Sequence, residues 1–287
     1  MGRHRGSRGG GPGDLVSTAI STATAPWLAL RAPADAAARS VELAAAFAAL
    51  LPSGPVELHD VGAGTGSMTR WLAPRLGGPQ RWVLHDGDVG ILEHLDLRSV
   101  VDDAGRPVSV RTVVGHLGEF GPEGFRGAAG VTASALLDVL TREEAERLVA
   151  ACIDARVPAL LALSVTGEVV LGPPDVADAA LGEAFNDHQR RDADGRRMLG
   201  PDAVTVLAAL FADAGWHVRR ECTPWRLGPA DAALLGEWLD GWVGAAVEQR
   251  PELGVDAGAY LDRRRAQLAD GALHVIVHHE DVLAWPR

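Results

Sequence analysis

The stretch HDVGAGTGSMTRWLAP, residues 59–74, places Gly62, Gly64 and Gly66 within five positions, directly after an apolar run and directly before a helix-like run. Glycine permits positive φ and lets another group approach the main chain closely, so this spacing predicts a tight turn with its amides facing outward from a strand end. The following helix adds unpaired N–H donors and a positive dipole end. Such a turn suits a small polar or charged ligand. The spacing is G-x-G-x-G, not the G-x-G-x-x-G of dinucleotide binders, so the turn alone does not name the ligand.

Outward from the turn, VELHDVG (56–62) reads as a buried strand and SMTRWLAPRL (67–76) as the helix after it. Further strands are expected at 81–88, 108–115, 127–134 and 158–165, with helix-like segments at 87–95 and 141–155. The Ala- and Leu-rich run 34–51 reads as a helix leading into the core. Strands alternating with helices predict an α/β fold with a mostly parallel sheet and helices on both faces. After residue 165 the pattern becomes polar and turn-rich, then gives a helix at 201–215 and strands at 216–222 and 272–285, with two helices between them at 229–249 and 256–269. The expected organisation is a disordered or loosely ordered tail over 1–32 and one domain over 33–287, carrying helical insertions at 166–200 and 224–271.

Composition narrows the function. The chain has 287 residues, a net charge of -11 and a pI near 5.3, which argues against nucleic-acid binding because phosphate contacts need a surplus of basic residues on one face. Cys152 and Cys222 match neither a disulfide framework nor a CxxC motif, and a reducing, cytoplasmic setting is expected. All 27 basic residues are arginine, so Schiff-base chemistry and a lysine base are excluded. No apolar stretch approaches the ~20 residues that span a bilayer, and no membrane association is expected.

Two carboxylates add to the turn. Asp60 precedes it, and a second strand ends in Asp86, the placement expected for a group that accepts hydrogen bonds from ribose hydroxyls. That combination favours a nucleoside ligand.

With these residues in place, VELHDVGAGTGSMTRWL resembles the first motif of class I S-adenosylmethionine-dependent methyltransferases and VLHDGDVGIL their second. VTASALLDVLT is similar to the segment after their fourth strand, and GPDAVTVLAALFADAGWHV to their late helix and strand. The resemblance covers roughly residues 35–223. It implies a Rossmann-like seven-stranded sheet with an antiparallel last strand, and S-adenosylmethionine as cofactor. It further implies that Gly62, Ala63 and Gly64 lie against the methionine part, with Asp60 helping to fix the amino group and Gly66 counted among the cofactor-binding residues. Asp86 would bind the ribose, Gly87 and Asp88 would line the adenine side, and Ser134 and Ala135 would face the transferring methyl. His116 stands where the family's third motif commonly has an acid, so its adenine contact departs from the pattern.

Methyl transfer from a sulfonium is an in-line displacement that needs position, alignment and water exclusion, with a base only where the acceptor must lose a proton. His188 is the first base candidate, because its insertion lies on the carboxyl-end side of the sheet, and Asp138 the second, set against a plain capping role or a pairing with Arg142. Arg190, Arg191, Arg196 and Arg197 would clamp an anionic acceptor if Asp187, Asp192 and Asp194 did not neutralise them. His274, His278 and His279 alternate across a strand, so no metal site is expected. Trp238 and Trp242 share a helical face, which favours packing over an acceptor wall that Trp225 would complete. The acceptor is expected to be a small molecule. The competing readings are an NAD(P)-dependent oxidoreductase, for which Asp86 would serve as well, and a catalytically silent methyltransferase-like binding protein.

Overall fold

The computed structural model describes residues 23–115, 123–193 and 195–287. Two helices open it, α1 (Ala25–Ala38) and α2 (Val41–Leu50). Next come β1 (Val56–Val61), α3 (Ser67–Leu72), β2 (Gln80–Asp86), the short α4 (Val89–Leu92) and β3 (Ser109–Val114). β4 (Gly130–Ser134), α5 (Arg142–Ala155), β5 (Ala159–Gly172) and α6 (Asp178–Gln189) follow. A hairpin of two-residue strands, β6 (Asp192–Ala193) and β7 (Arg196–Arg197), precedes α7 (Ala203–Asp213), β8 (His217–Cys222) and β9 (Trp225–Leu227). The chain ends with α8 (Ala232–Gln249), α9 (Gly254–Ala269) and β10 (His274–Trp285).

Seven strands lie in the order β3-β2-β1-β4-β5-β10-β8, and β9 pairs with β10 beside β8. The pairs among β1 to β5 are parallel, whereas β10 runs antiparallel to both β5 and β8. This is the expected α/β, Rossmann-like, mostly parallel sheet. Both faces are covered. Leu43, Phe47, Leu58, Trp82 and Leu84 pack under α2 and α3 on one face; Val131, Leu161, Leu148, Leu207 and Phe211 pack under α5 and α7 on the other. Each such side chain, once buried, contributes about 1.5–3 kcal/mol. Gly130 is required where α2 meets β4, since a Cβ there would stand 2.5 Å from Phe47 Cζ.

Strand order decides where a ligand can sit. From β1 the chain winds outward through β2 to β3, then returns to place β4 on the other side of β1, so the connections after β1 and β4 leave in opposite directions and open a crevice at the strand ends. The glycine turn stands on one lip of that crevice and Ser134 on the other.

Four sequence expectations change. The tail predicted over 1–32 is helical from Ala25, because Pro26 sits in the first turn where no N–H is needed and Thr24 caps the end. Pro33 does not stop α1: Trp27, Leu30, Ala34 and Ala38 pack on the apolar cluster formed by α6, α8 and α9, and that burial outweighs the lost hydrogen bond. The single helix expected over 34–51 is two, broken at Arg39, with the Ser40 hydroxyl accepting from Leu43 N–H at 3.0 Å. An eighth strand joins the sheet because β10 is 12 residues long and β8 pairs with only its Glu280–Trp285 part; β9 takes Val275–Val277 after a kink at Thr223–Pro224. Within the insertion expected at 166–200, β5 runs on to Gly172 before α6 begins. No helix among the described residues is long and apolar enough to cross a membrane.

Candidate functional site

A cavity of about 820 Å³ opens at the crevice. That lies within the roughly 300–1,000 Å³ of small-molecule sites. Its floor is the glycine turn. Gly62, Gly64 and Gly66 have φ of 64°, 54° and 77°, the left-handed region that L side chains avoid. Space is short as well: a Cβ on Gly62 would stand 2.7 Å from Leu136 Cδ1, and one on Gly64 would stand 3.2 Å from Leu28 Cδ1. Gly62, Ala63 and Gly64 line the cavity. Gly66 does not, facing Leu95 and Leu97 instead, where it turns the chain into α3.

Asp86 closes one side. Its Oδ2 accepts from Gly64 N–H at 2.8 Å and its Oδ1 from Asp88 N–H at 2.9 Å, so one carboxylate braces the turns after β1 and β2 against each other. It lines the cavity half-buried, and a carboxylate offers about four acceptor positions, which leaves capacity for a ligand hydroxyl. Gly87 and Asp88 also line the wall; the Asp88 carboxylate caps α4 by accepting from Gly90 and Ile91 N–H groups. Ser134 and Ala135 face the space from the end of β4, Ala135 with a φ of 51°. His116 falls outside the described residues.

Asp60 is elsewhere. Fully buried behind the turn, its carboxylate accepts from Thr132 Oγ1 at 2.8 Å and Thr69 Oγ1 at 3.0 Å, tying β4 and α3 to β1. It does not line the cavity, and the amino-fixing role expected for it does not fit this geometry. Burial raises its pKa to about 6, against the lowering effect of the two hydroxyls and Arg39.

Neither predicted base reaches the wall. His188 sits on α6 turned toward α8, with Nδ1 3.0 Å from Arg191 Nη1 and Nε2 3.4 Å from Glu248; burial and Arg191 lower its pKa. β5 continues past the expected strand end, which carries α6 away from the crevice. Asp138 lies in the turn after β4 between cavity-lining Leu136 and Val139, half-buried, with its pKa raised by burial, but is itself outside the lining. The expected arginine clamp divides as well. Arg190 pairs with Asp202 and Arg191 with His188, while Arg196 alone lines the cavity, held by Glu144 at 2.7 Å.

Other side chains are not singled out by the sequence. α1 supplies Leu28, Arg31 and Asp35 to the wall, and Arg39 joins them from the break after it. Arg31 pairs with Asp35 at 3.0 Å and lies 4.8 Å above the Trp225 ring, whose Nε1–H donates to Asp35. Trp225 thus supports the wall from behind, and Trp238 and Trp242 stack in the core of the insertions. Arg39 is almost fully buried, its Nη2 donating to Ser67 Oγ at 2.8 Å and Ser134 Oγ at 2.9 Å. His85 also lines the cavity, with Nε2 3.0 Å from His59 Nδ1, and His59 Nε2 stands 3.3 Å from Glu57. Burial, with His59 and Arg111 nearby, lowers the pKa of His85 to about 4. The only hint in the sequence is the His-Asp pair repeated at the ends of β1 and β2. Of the three late histidines, His279 is buried with Nδ1 2.9 Å from Val277 O, and His278 stands 3.8 Å from Glu168; no metal-holding group of three such side chains occurs among the described residues.

No family model and no curated protein matches the chain. Among solved structures it is similar to the cyclopropane synthase MmaA2 from Mycobacterium tuberculosis, at 15% identity and a TM-score of 0.45 over 85% of this chain and 82% of that one. An S-adenosylmethionine-dependent methyltransferase from Geobacter sulfurreducens, in complex with S-adenosyl-L-homocysteine, gives 16% identity and a TM-score of 0.41 over 86% and 92%. A putative sarcosine dimethylglycine methyltransferase from Galdieria sulphuraria gives 12% identity and 0.43 over 85% and 84%.

Proposed function

We propose that this chain is an S-adenosylmethionine-dependent methyltransferase acting on a small-molecule acceptor. The observation that carries the reading is the Asp86 carboxylate, 2.8 Å from the amide of Gly64 and beside a turn too bare for side chains, at the switch point of the sheet. The residues present fit the cofactor. Main-chain groups of Gly62 to Gly64 would lie along its amino-acid chain, Asp86 would accept from its ribose hydroxyls, and Ile91, Gly87 and Gly115 would border its base. When bound, it supplies an activated methyl group on a cationic sulfur.

The protein's part is then placement. Ser134, Ala135 and Leu136, at the end of β4, would hold the acceptor in line with that methyl, and the apolar Leu28, Val139 and Leu140 would keep water away. No base is needed for an acceptor that arrives unprotonated. The net charge of -11 suits a small molecule better than a nucleic acid. Both cysteines are free, Cys152 buried and Cys222 exposed, in keeping with a reducing compartment such as the cytoplasm.

Calorimetric titration with S-adenosylhomocysteine and, separately, NAD tests the reading. Saturable one-to-one binding of the first, lost in Asp86→Ala, is expected. Binding of NAD with none of S-adenosylhomocysteine would overturn it.

A further inference from the structure

Part of the cavity lining is left over once the glycine turn, Asp86 and their neighbours are given to the cofactor. It consists of the apolar Leu136, Val139 and Leu140 and of two ion pairs, Arg31 with Asp35 and Arg196 with Glu144. Both pairs are lopsided in the same sense. Asp35 accepts from Nε and Nη2 of Arg31 and from Trp225 Nε1, and only 4% of its surface is exposed. Glu144 accepts from Arg196 Nη2 with both oxygens and from Thr141 N–H. A guanidinium carries five N–H donors, and these two use only some of theirs. Arg31 Nη1 has no hydrogen-bond partner among the described residues, and neither Nε nor Nη1 of Arg196 has one. An apolar chamber with spare donors and engaged carboxylates matches an anion.

Arg31 is the stronger donor of the two. Its side chain is 14% exposed against 36% for Arg196, so a charge-assisted bond to it is less screened by water. It is also set in advance. Asp35 holds one edge of the guanidinium and the Trp225 ring lies 4.8 Å from it, which leaves the edge carrying Nη1 unbonded. Little side-chain freedom is then lost when a ligand arrives. Trp225 belongs to β9, at the start of the second insertion, so an insertion fixes this side chain. With Asp35 and Glu144 so near, a second negative charge on the ligand would be repelled, which favours a carboxylate over a phosphate dianion.

We infer that Arg31 anchors a carboxylate on the acceptor, so that the substrate class is an apolar monocarboxylic acid whose chain or ring lies on Leu136, Val139 and Leu140. This rests on the cofactor reading above, which occupies the rest of the cavity. Guanidinium–carboxylate hydrogen bonds are directional, which makes Arg31 a specificity-determining residue as well as an anchor.

The test loads the full chain with S-adenosylhomocysteine and titrates it, by NMR, with octanoate, phenylacetate and benzoate, with their matching amides, and with hexyl phosphate. At least one acid is expected to bind about 10- to 100-fold more tightly than its amide, the range for hydrogen bonds to a charged group. The double variant Arg31→Gln, Asp35→Asn leaves no buried carboxylate without its cation, and it should erase that preference while still binding S-adenosylhomocysteine. Arg31→Lys keeps the charge without the fork and should retain only part of the preference, which decides the matter if the double variant does not fold. Arg196→Gln, at the more exposed pair, should reduce it less than about 3-fold. Acids binding no better than their amides, or no probe binding to the loaded chain, would overturn the inference and leave the cofactor reading intact. So would a full preference in Arg31→Lys or the double variant, a preference lost only in Arg196→Gln, or hexyl phosphate binding more tightly than every acid. Failure of S-adenosylhomocysteine itself to bind would bring down the cofactor reading, and this inference with it.

Discussion

The cavity has two walls built on different principles. The sheet-side wall, from the turns after β1, β2 and β4, works through main-chain amides and one carboxylate. The helical wall, from α1 and the break after it, works through long side chains, Arg31 paired with Asp35 and Arg39 held by two serine hydroxyls and the face of Trp71. The first wall is fixed by local geometry, since positive φ and absent Cβ atoms hold its shape. The second exists only when α1 docks on the apolar core of α6, α8 and α9. The wall proposed for the nucleoside is therefore a property of a short segment, and the charged wall a property of tertiary packing.

Substitutions in the sheet-side wall should be the most damaging. Gly64→Val puts a β-branched residue at a φ of 54° and its Cβ 3.2 Å from Leu28. A left-handed L residue costs about 1–2 kcal/mol before any clash, and the added methyls fill the ligand space, so S-adenosylhomocysteine affinity should fall more than about 100-fold in calorimetry. Asp86→Asn keeps the shape but loses the charge, and the fall expected is about 10- to 100-fold. If the Asp86→Asn variant bound as tightly as the wild type, the ribose role of this wall would be lost and only its bracing role would survive.

The groups behind the walls make opposite predictions about pH. His85, with its folded pKa lowered to about 4, favours the neutral form, so its contribution to stability is present at neutral pH and lost as pH falls from about 6.5 toward 4. Asp60, with its pKa raised from 3.8 to about 6, is favoured protonated, so its contribution is present in acid and lost as pH rises through that interval. Each is worth on the order of 3 kcal/mol, and they oppose each other over the same range. Urea melts between pH 4 and 6.5 should show Asp60→Asn losing stability more steeply than the wild type toward acid, and His85→Phe tilting the other way. Parallel profiles for all three would mean that neither group is buried as described.

The smallest effect belongs to His188. Held by Arg191 and Glu248 away from the cavity, it should change affinity and turnover less than about 2-fold when replaced by Ala, once an acceptor is in hand. A loss of turnover with unchanged folding would return α6 to the chemistry.

What is legible in the sequence follows the same division. The parallel sheet, the turn and Asp86 can be read because each depends on residues close in the chain: strand periodicity, glycine spacing, and a carboxylate one βαβ unit downstream. Asp60 departs from its expected role because its neighbours Thr69 and Thr132 come from α3 and β4, and their hydroxyls draw it inward. His188 departs because β5 overruns its expected end. Arg39 gives no signal beyond being a charged residue in an alanine-rich run, since Ser134 lies 95 positions away. α1 is hidden by its two prolines, one harmless at the helix start and one outweighed by packing.

The most direct measurement of the central claim is a crystal structure of the chain with S-adenosylhomocysteine. The expected result has both ribose hydroxyls within hydrogen-bond distance of Asp86 and the sulfur on the Ser134 side of the glycine turn. A ligand bound elsewhere, or Asp86 still occupied only by the amides of Gly64 and Asp88, would contradict the claim.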